Sequence, residues 1–159
     1  MMPKEIKPIK RSAALAPLSR EHHDGLLFVW KIKEGIKKEI ELQRLIRFGE
    51  WFWKEDLYNH FEKEEAVLSK VLKDHPMFLQ MLAEHTILRK LFNNIHLANN
   101  YKDLESLAQI LNDHIRFEER QLFNEAEKLA SPEELLEILE LLKEEKSCGF
   151  WEDEFWSKE

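Results

Sequence analysis

The residues with the most chemistry to offer are two copies of one short step. His60-Phe61-Glu62-Lys63-Glu64 and His114-Ile115-Arg116-Phe117-Glu118 each set an imidazole and a carboxylate four residues apart, and Glu65 or Glu119 follows directly. On an α-helix that spacing stacks the histidine and the glutamate on one face, a turn apart. Upstream of each step stands a Glu-His pair, Glu21-His22 before the first and Glu84-His85 before the second. Two helical hairpins, each supplying two histidines and one carboxylate, would make one shared site for two metal ions.

These residues interrupt apolar stripes. Ile46, Trp53, Leu57, His60, Glu64, Leu68 and Val71 recur at helical spacing, as do Phe78, Met81, Leu82, His85, Leu88 and Phe92, and then Leu104, Leu107, Leu111, His114, Glu118 and Leu122. A lone histidine in such a stripe is more often a satisfied core residue than a ligand. Carboxylates in the stripe change the argument, because burying one without a partner is costly and two would repel each other. A pair of divalent cations resolves both problems. Imidazole with carboxylate and no thiolate suits iron, manganese, zinc or nickel, and excludes an iron–sulfur cluster. On the first helix the ligand is either His22, favoured by the repeated Glu-His pair, or His23, favoured by Leu26 three positions on, which parallels Leu88 after His85. Glu21, Glu65, Glu84 and Glu119 are expected to be solvated or to accept hydrogen bonds from ligand imidazoles.

The elements that must position these groups are helical. Ser19 is a candidate N-cap for a first helix that ends in the late thirties, near Gly35 and Lys37-Lys38. Asp74-His75-Pro76 separates the second and third helices, and Asn93-Asn94 with Asn99-Asn100 separates the third from a fourth that starts near Asp103. Ser131-Pro132-Glu133-Glu134 opens a shorter fifth helix that ends between Lys143 and Lys146. The expected fold is all-α, an antiparallel up-down four-helix bundle with a short fifth C-terminal helix. Residues 1–17 read as an N-terminal arm, 18–146 as the bundle domain with its fifth helix, and 147–159 as an aromatic and acidic tail. Phe150, Trp151, Phe155 and Trp156 of that tail are expected to pack on the bundle. Trp51 and Trp53 are expected to fill the core or shield the site. His75 reads as a loop or cap residue, and His96 lies too far along its helix from His85 to share a site.

Composition sets the outer bounds. With 159 residues, four glycines and five prolines, the chain reads as one helix-rich domain. A net charge of −7 disfavours nucleic acid or an anionic membrane surface as partner. No apolar run approaches the roughly 18 residues of a membrane span, and the start lacks a signal peptide's apolar core, so a soluble cytoplasmic protein is expected. The one cysteine, Cys148, can make no internal disulfide.

Leu-Ser-Arg-Glu-His-His (18–23), His-Phe-Glu-Lys-Glu-Glu (60–65), Glu-His-Thr-Ile-Leu-Arg (84–89) and His-Ile-Arg-Phe-Glu-Glu-Arg (114–120) together resemble the hemerythrin-like, HHE cation-binding domain. The resemblance covers about residues 18–128 and implies a four-helix bundle holding two iron ions in a non-haem di-iron centre, with zinc or manganese as alternatives. Carried over by position, the ligands are His22, His60, Glu64, His85, His114 and Glu118. Oxygen-carrying hemerythrins place a further histidine four residues after the one on the third helix, where this chain has Arg89. They also follow the last histidine with an aspartate five residues on, where this chain has Glu118 after four. The resemblance is therefore closer to the broader family with four histidines and two glutamates, linked to iron or oxygen sensing, nitric-oxide chemistry and iron handling. It implies a metal-binding protein that takes dioxygen or nitric oxide. A di-iron enzyme reducing peroxide or nitric oxide, and an adaptor bundle without redox metal, are the competing readings.

Overall fold

The computed structural model describes residues 11–143 and 149–157, and its regular elements among these residues are all helical. They are α1 (Ala16–Lys37), α2 (Leu42–Phe52), α3 (Tyr58–Leu72), α4 (Pro76–Asn93), α5 (Tyr101–Phe117), α6 (Phe123–Leu129) and α7 (Pro132–Leu141). Two wide π turns, Trp53–Leu57 and Glu118–Leu122, join α2 to α3 and α5 to α6 without leaving helical backbone, and a 3-10 turn spans Ile95–Leu97. In the resulting bundle α1 lies along α5, α4 packs on α3 and α5, and α3 also meets α6 and α7.

Local chemistry explains most of the boundaries. Asn100 accepts the Asp103 N–H at 2.9 Å, so α5 begins at Tyr101, just ahead of the expected Asp103. Ser131 and Glu134 form the reciprocal capping box that their spacing predicts for α7, which ends at Leu141 rather than between 143 and 146. His75 caps α4, its Nδ1 accepting the Met77 N–H at 3.1 Å. The expected cap at Ser19 is overturned, since α1 already starts at Ala16 behind an uncapped Leu15. Leu15 and Leu18 are fully buried, and docking them outweighs the side-chain cap. At its other end α1 runs to Lys37, in the expected late thirties, and Gly35 is buried inside it, where a Cβ would lie 2.5 Å from Leu45 and 2.9 Å from Phe155. The helix stops two residues later, where Glu39 takes a left-handed φ of 55° and the Ile40 N–H returns to the Gly35 carbonyl at 2.9 Å.

Two apolar clusters make the core. One gathers Phe28, Phe48, Phe52, Phe61, Phe92 and Leu111 with their neighbours, and the other Leu15, Leu68, Met81, Leu122, Phe123 and Ile138 with theirs. The tail closes the first: Phe155 is buried edge-on to Phe48, Trp151 and Trp156 lie beside the same ring, and Arg44 holds Asp153, whereas Phe150, expected to pack with them, is left exposed. Trp53 stacks on Phe92, and Trp51 packs between Phe48 and Trp151. Val71 and Leu82, at the margins of the expected stripes, are only half-buried. No helix among the described residues is long and apolar enough to cross a membrane. Cys148 lies outside the described residues.

Candidate metal centre

Between the two apolar clusters lies a layer of six polar side chains. His22 comes from α1, His60 and Glu64 from α3, His85 from α4, His114 from α5, and Glu118 is the first residue of the second π turn. None is more than 4% exposed. The structure thus brings together all six residues expected from the sequence, and of the two candidates on α1 it buries His22 and leaves His23 exposed. Gly25 permits this convergence: a Cβ there would stand 2.6 Å from Ile115 Cδ1, so its absence lets α1 sit close to α5 one turn beyond His22.

The six form two overlapping groups, His22, His60, Glu64 and Glu118, and Glu64, His85, His114 and Glu118. Within each group the donor atoms lie within 4.8 Å of one another. Both carboxylates belong to both groups, and each group has its own pair of imidazoles.

Every imidazole is held from behind by a carboxylate. His22 Nδ1 meets Glu119 at 2.7 Å, His60 Nδ1 meets Glu21 at 2.8 Å, His85 Nδ1 meets Glu65 at 2.7 Å, and His114 Nδ1 meets Glu84 at 2.7 Å. An ionised carboxylate can only accept, so each Nδ1 carries a proton and donates it. That fixes Nε2 as the nitrogen facing inward in all four rings.

The inward side is where the cluster is incomplete. His60, His85 and His114 present Nε2 to Glu64 or Glu118 oxygens at 3.2–3.4 Å, near enough for strong electrostatic coupling but out of line for a hydrogen bond. Glu64 Oε1 and Glu118 Oε2 are likewise buried without a hydrogen-bond partner. Only His22 Nε2 is paired, with Glu118 at 2.8 Å and Glu64 at 3.2 Å. Neutral imidazoles would turn nitrogen lone pairs toward carboxylate lone pairs, which is repulsive in a dry interior. The layer therefore requires cations, either protons on Nε2 or metal ions between the groups. Orphaned nitrogen and oxygen donors aimed at common points are a donor set that fits divalent ions.

With protons as the cations, ionisation shifts strongly. Burial opposes charging His85, but Glu118, Glu64 and Glu65 overcome it and carry the ring up to about 11. His22 is likewise penalised by burial yet raised well above its ordinary value by Glu118, Glu119 and Glu64. His60 and His114 move upward for the same reason, against burial, through Glu64 and Glu118 respectively. Burial and the neighbouring Glu64 both push Glu118 up, but His114 and His22 prevail and hold it down at about 2. Glu64 is also buried, and His60, His22 and His85 hold it well below the usual carboxylate range.

Sequence reasoning leaves the supporting roles of Phe61, Phe123, Arg11 and Lys63 unmarked, whereas Arg89 is already a candidate to neutralise one of the outer glutamates. Phe61 stacks on His85 at 3.8 Å between ring centroids, and Phe123 stacks on His22 at 5.1 Å. Arg89 lies over Phe61 and pairs with Glu65 at 2.8 Å. Arg11 lies over Phe123, pairs with Glu127 at 2.9 Å, and stands 3.6 Å from Glu119. Arg89, which replaces a histidine of the oxygen carriers, thus braces the carboxylate behind His85 as Arg11 braces the one behind His22. Ser19 donates to Glu119 at 2.8 Å, and Lys63 pairs with Glu21. No periodicity marks Arg11, which precedes the first helix. The ring stacking depends on how the helices face each other.

A helical bundle whose core is split by a buried layer of four histidines and two glutamates has the donor set of a metal-binding domain. The chain belongs to the hemerythrin family: the model of the hemerythrin HHE cation-binding domain matches residues 16–126, which span every residue of the layer. No curated protein and no solved structure matches the chain significantly.

Proposed function

We propose that this protein binds two divalent metal ions, iron in the first instance, and through them a small diatomic ligand, dioxygen or nitric oxide, in sensing or iron handling. His22 and His60 would serve one ion and His85 and His114 the other, with Glu64 and Glu118 shared. The observation that carries this reading is the set of buried, unpartnered Nε2 and carboxylate oxygens turned toward common points while every Nδ1 is engaged outward. Iron bound by imidazole and carboxylate supplies the open coordination positions and redox chemistry that such a ligand needs. The chain's own residues orient the rings, through Glu21, Glu65, Glu84 and Glu119, and exclude water with Phe61 and Phe123. In this reading α1, α2 with α3, α4, and α5 with α6 form an antiparallel up-down four-helix bundle, supported by their short connections and by the contacts of α5 with α1 and α4. We place the protein in the cytoplasm, where ferrous iron is accessible.

Metal analysis of the purified chain after anaerobic loading with ferrous iron tests this, followed by optical spectra with and without dioxygen and nitric oxide. Two ions per chain and a ligand-dependent charge-transfer band are expected. A chain that retains no metal after loading refutes the reading, and two ions whose spectra respond to neither gas refute the ligand assignment.

A further inference from the structure

The four carboxylates behind the histidines are not equivalent. Three carry a cation: Arg11 stands beside Glu119, Lys63 pairs with Glu21, and Arg89 pairs with Glu65. Glu84, behind His114, is different. Its other partner among the described residues is the neutral amide of Gln80, at 2.9 Å. The two copies of the sequence repeat differ at the corresponding position, where the first has Lys63 and the second Phe117.

A cavity of about 360 Å³ opens at the same edge, between α4 and α5, lined among others by Gln80, Glu84, Asp113, His114, Phe117 and Gln121. No lysine or arginine contributes to its wall, and Asp113, which stands where the first copy has Asn59, adds a second carboxylate. His114 forms part of that wall although it is only 2% exposed, and its Nε2 has no hydrogen-bond partner. The cavity therefore runs from solvent to a member of the buried layer. The cavities at the aromatic tail, beside Arg44 and Asp153, and between Ile87 and Leu107 touch none of the six.

We propose that the cavity between Glu84 and Asp113 is the port through which divalent cations reach the buried layer, an inference that rests on the reading of that layer as a metal centre. An incoming ion there meets oxygen donors that can replace its water, and no lysine or arginine. Glu84 both receives the ion and holds His114, so passage moves one carboxylate while the other three edges stay braced. The first copy's Lys63 keeps the corresponding edge closed.

Stopped-flow uptake of Co²⁺ by the metal-free full chain, followed by its visible absorption, tests the port without reference to any reaction. Asp113 is exposed and its carboxylate accepts from Gln109 and Asn112 rather than from the layer, so Asp113→Lys is expected to slow uptake at low salt by about tenfold or more, while two ions per chain are still bound at the end. The deficit should shrink in high salt. Glu133→Lys, the same charge change on α7, should load at the unaltered rate. Phe117→Lys, which restores the cation of the first copy, should also slow uptake where it folds. Equal rates for Asp113→Lys and the unaltered chain, or equal slowing by Glu133→Lys, overturn the port while leaving the metal centre standing. Failure of the unaltered chain to take up Co²⁺ overturns both.

Discussion

Under the proposed reading, metal uptake should be an exchange of protons for ions. In the metal-free chain the four rings of His22, His60, His85 and His114 all have their ionisation shifted upward, His85 to about 11, each against the opposing effect of burial. Each Nδ1 proton is held by an outer carboxylate, so the proton that a metal must displace is the one on Nε2. Two divalent ions bring four positive charges and four Nε2 protons carry four away, so the charge of the layer is conserved. At about pH 6 close to four protons should leave per chain, or about two per ion. The apparent affinity for each ion should then rise ~100-fold per pH unit, equivalent to ~2.7 kcal/mol. Calorimetric titration with Zn²⁺ in buffers of different ionisation enthalpy counts these protons directly. Full occupancy with release of about one proton or fewer would show that the inward nitrogens were already bare, and the account of the metal-free layer as proton-filled would fall.

The same shifts set the stability of the chelated protein. Histidines raised above 6.5 contribute stability that is complete below that value and is lost as pH rises toward about 11 for His85, whereas Glu118, lowered from 4.5 to about 2, contributes stability that is complete above 4.5 and lost as pH falls toward 2. Thermal melts of metal-free protein should therefore peak between those ordinary values and decline on either side, and loading with metal should remove the alkaline decline. Glu65→Gln should weaken metal binding by about 10- to 100-fold, because a neutral amide replaces the carboxylate that orients and polarises His85, with chelator competition as the measurement. Gly25→Val should cost about 1–3 kcal/mol in urea unfolding, because its Cβ would stand 2.6 Å from Ile115 Cδ1 and separate α1 from α5. An unchanged unfolding midpoint would show that Ile115 moves aside freely.

The layer was legible from sequence because five of its six donors break apolar stripes at helical spacing on three separate stretches, and those stripes are what the core is made of. His22 could not be separated from His23 in that way, since both precede apolar residues at helical intervals and only the docking of α1 on α5 decides which is buried. The start of α1 was misread for a related reason. Ser19 has the chemistry of a cap, but Leu15 and Leu18 anchor the helix from inside the second apolar cluster, and Ser19 turns instead to Glu119. The π turn at Glu118–Leu122 also escaped, because a regular period assumes an unbroken helix. By widening the backbone there it helps bury both Leu122 and Phe123, and Phe123 covers His22. Arg11 and Arg89 are invisible as a pair in the sequence and become one only through the helices that bring each to its phenylalanine.

The placement of the layer bears on how metal and folding are coupled. A polar layer that cuts a core in two would weaken a bundle if its charges were unmatched, and small metal-dependent domains escape this by staying unfolded until metal arrives. Here the chain has a second way to match them, with protons on Nε2 and salt-bridged carboxylates behind every ring but His114. The apolar clusters on either side can then form before any ion is bound. A chain that folds first must let its ions in afterwards through a packed wall, and that wall cannot be equally braced all round. The second copy of the repeat departs from the first at Phe117, where the brace of Lys63 is missing, and there the wall meets a cavity with two carboxylates and no lysine or arginine. Under the proposed reading, a metal centre that folds first would need such a difference between the two copies of the repeat.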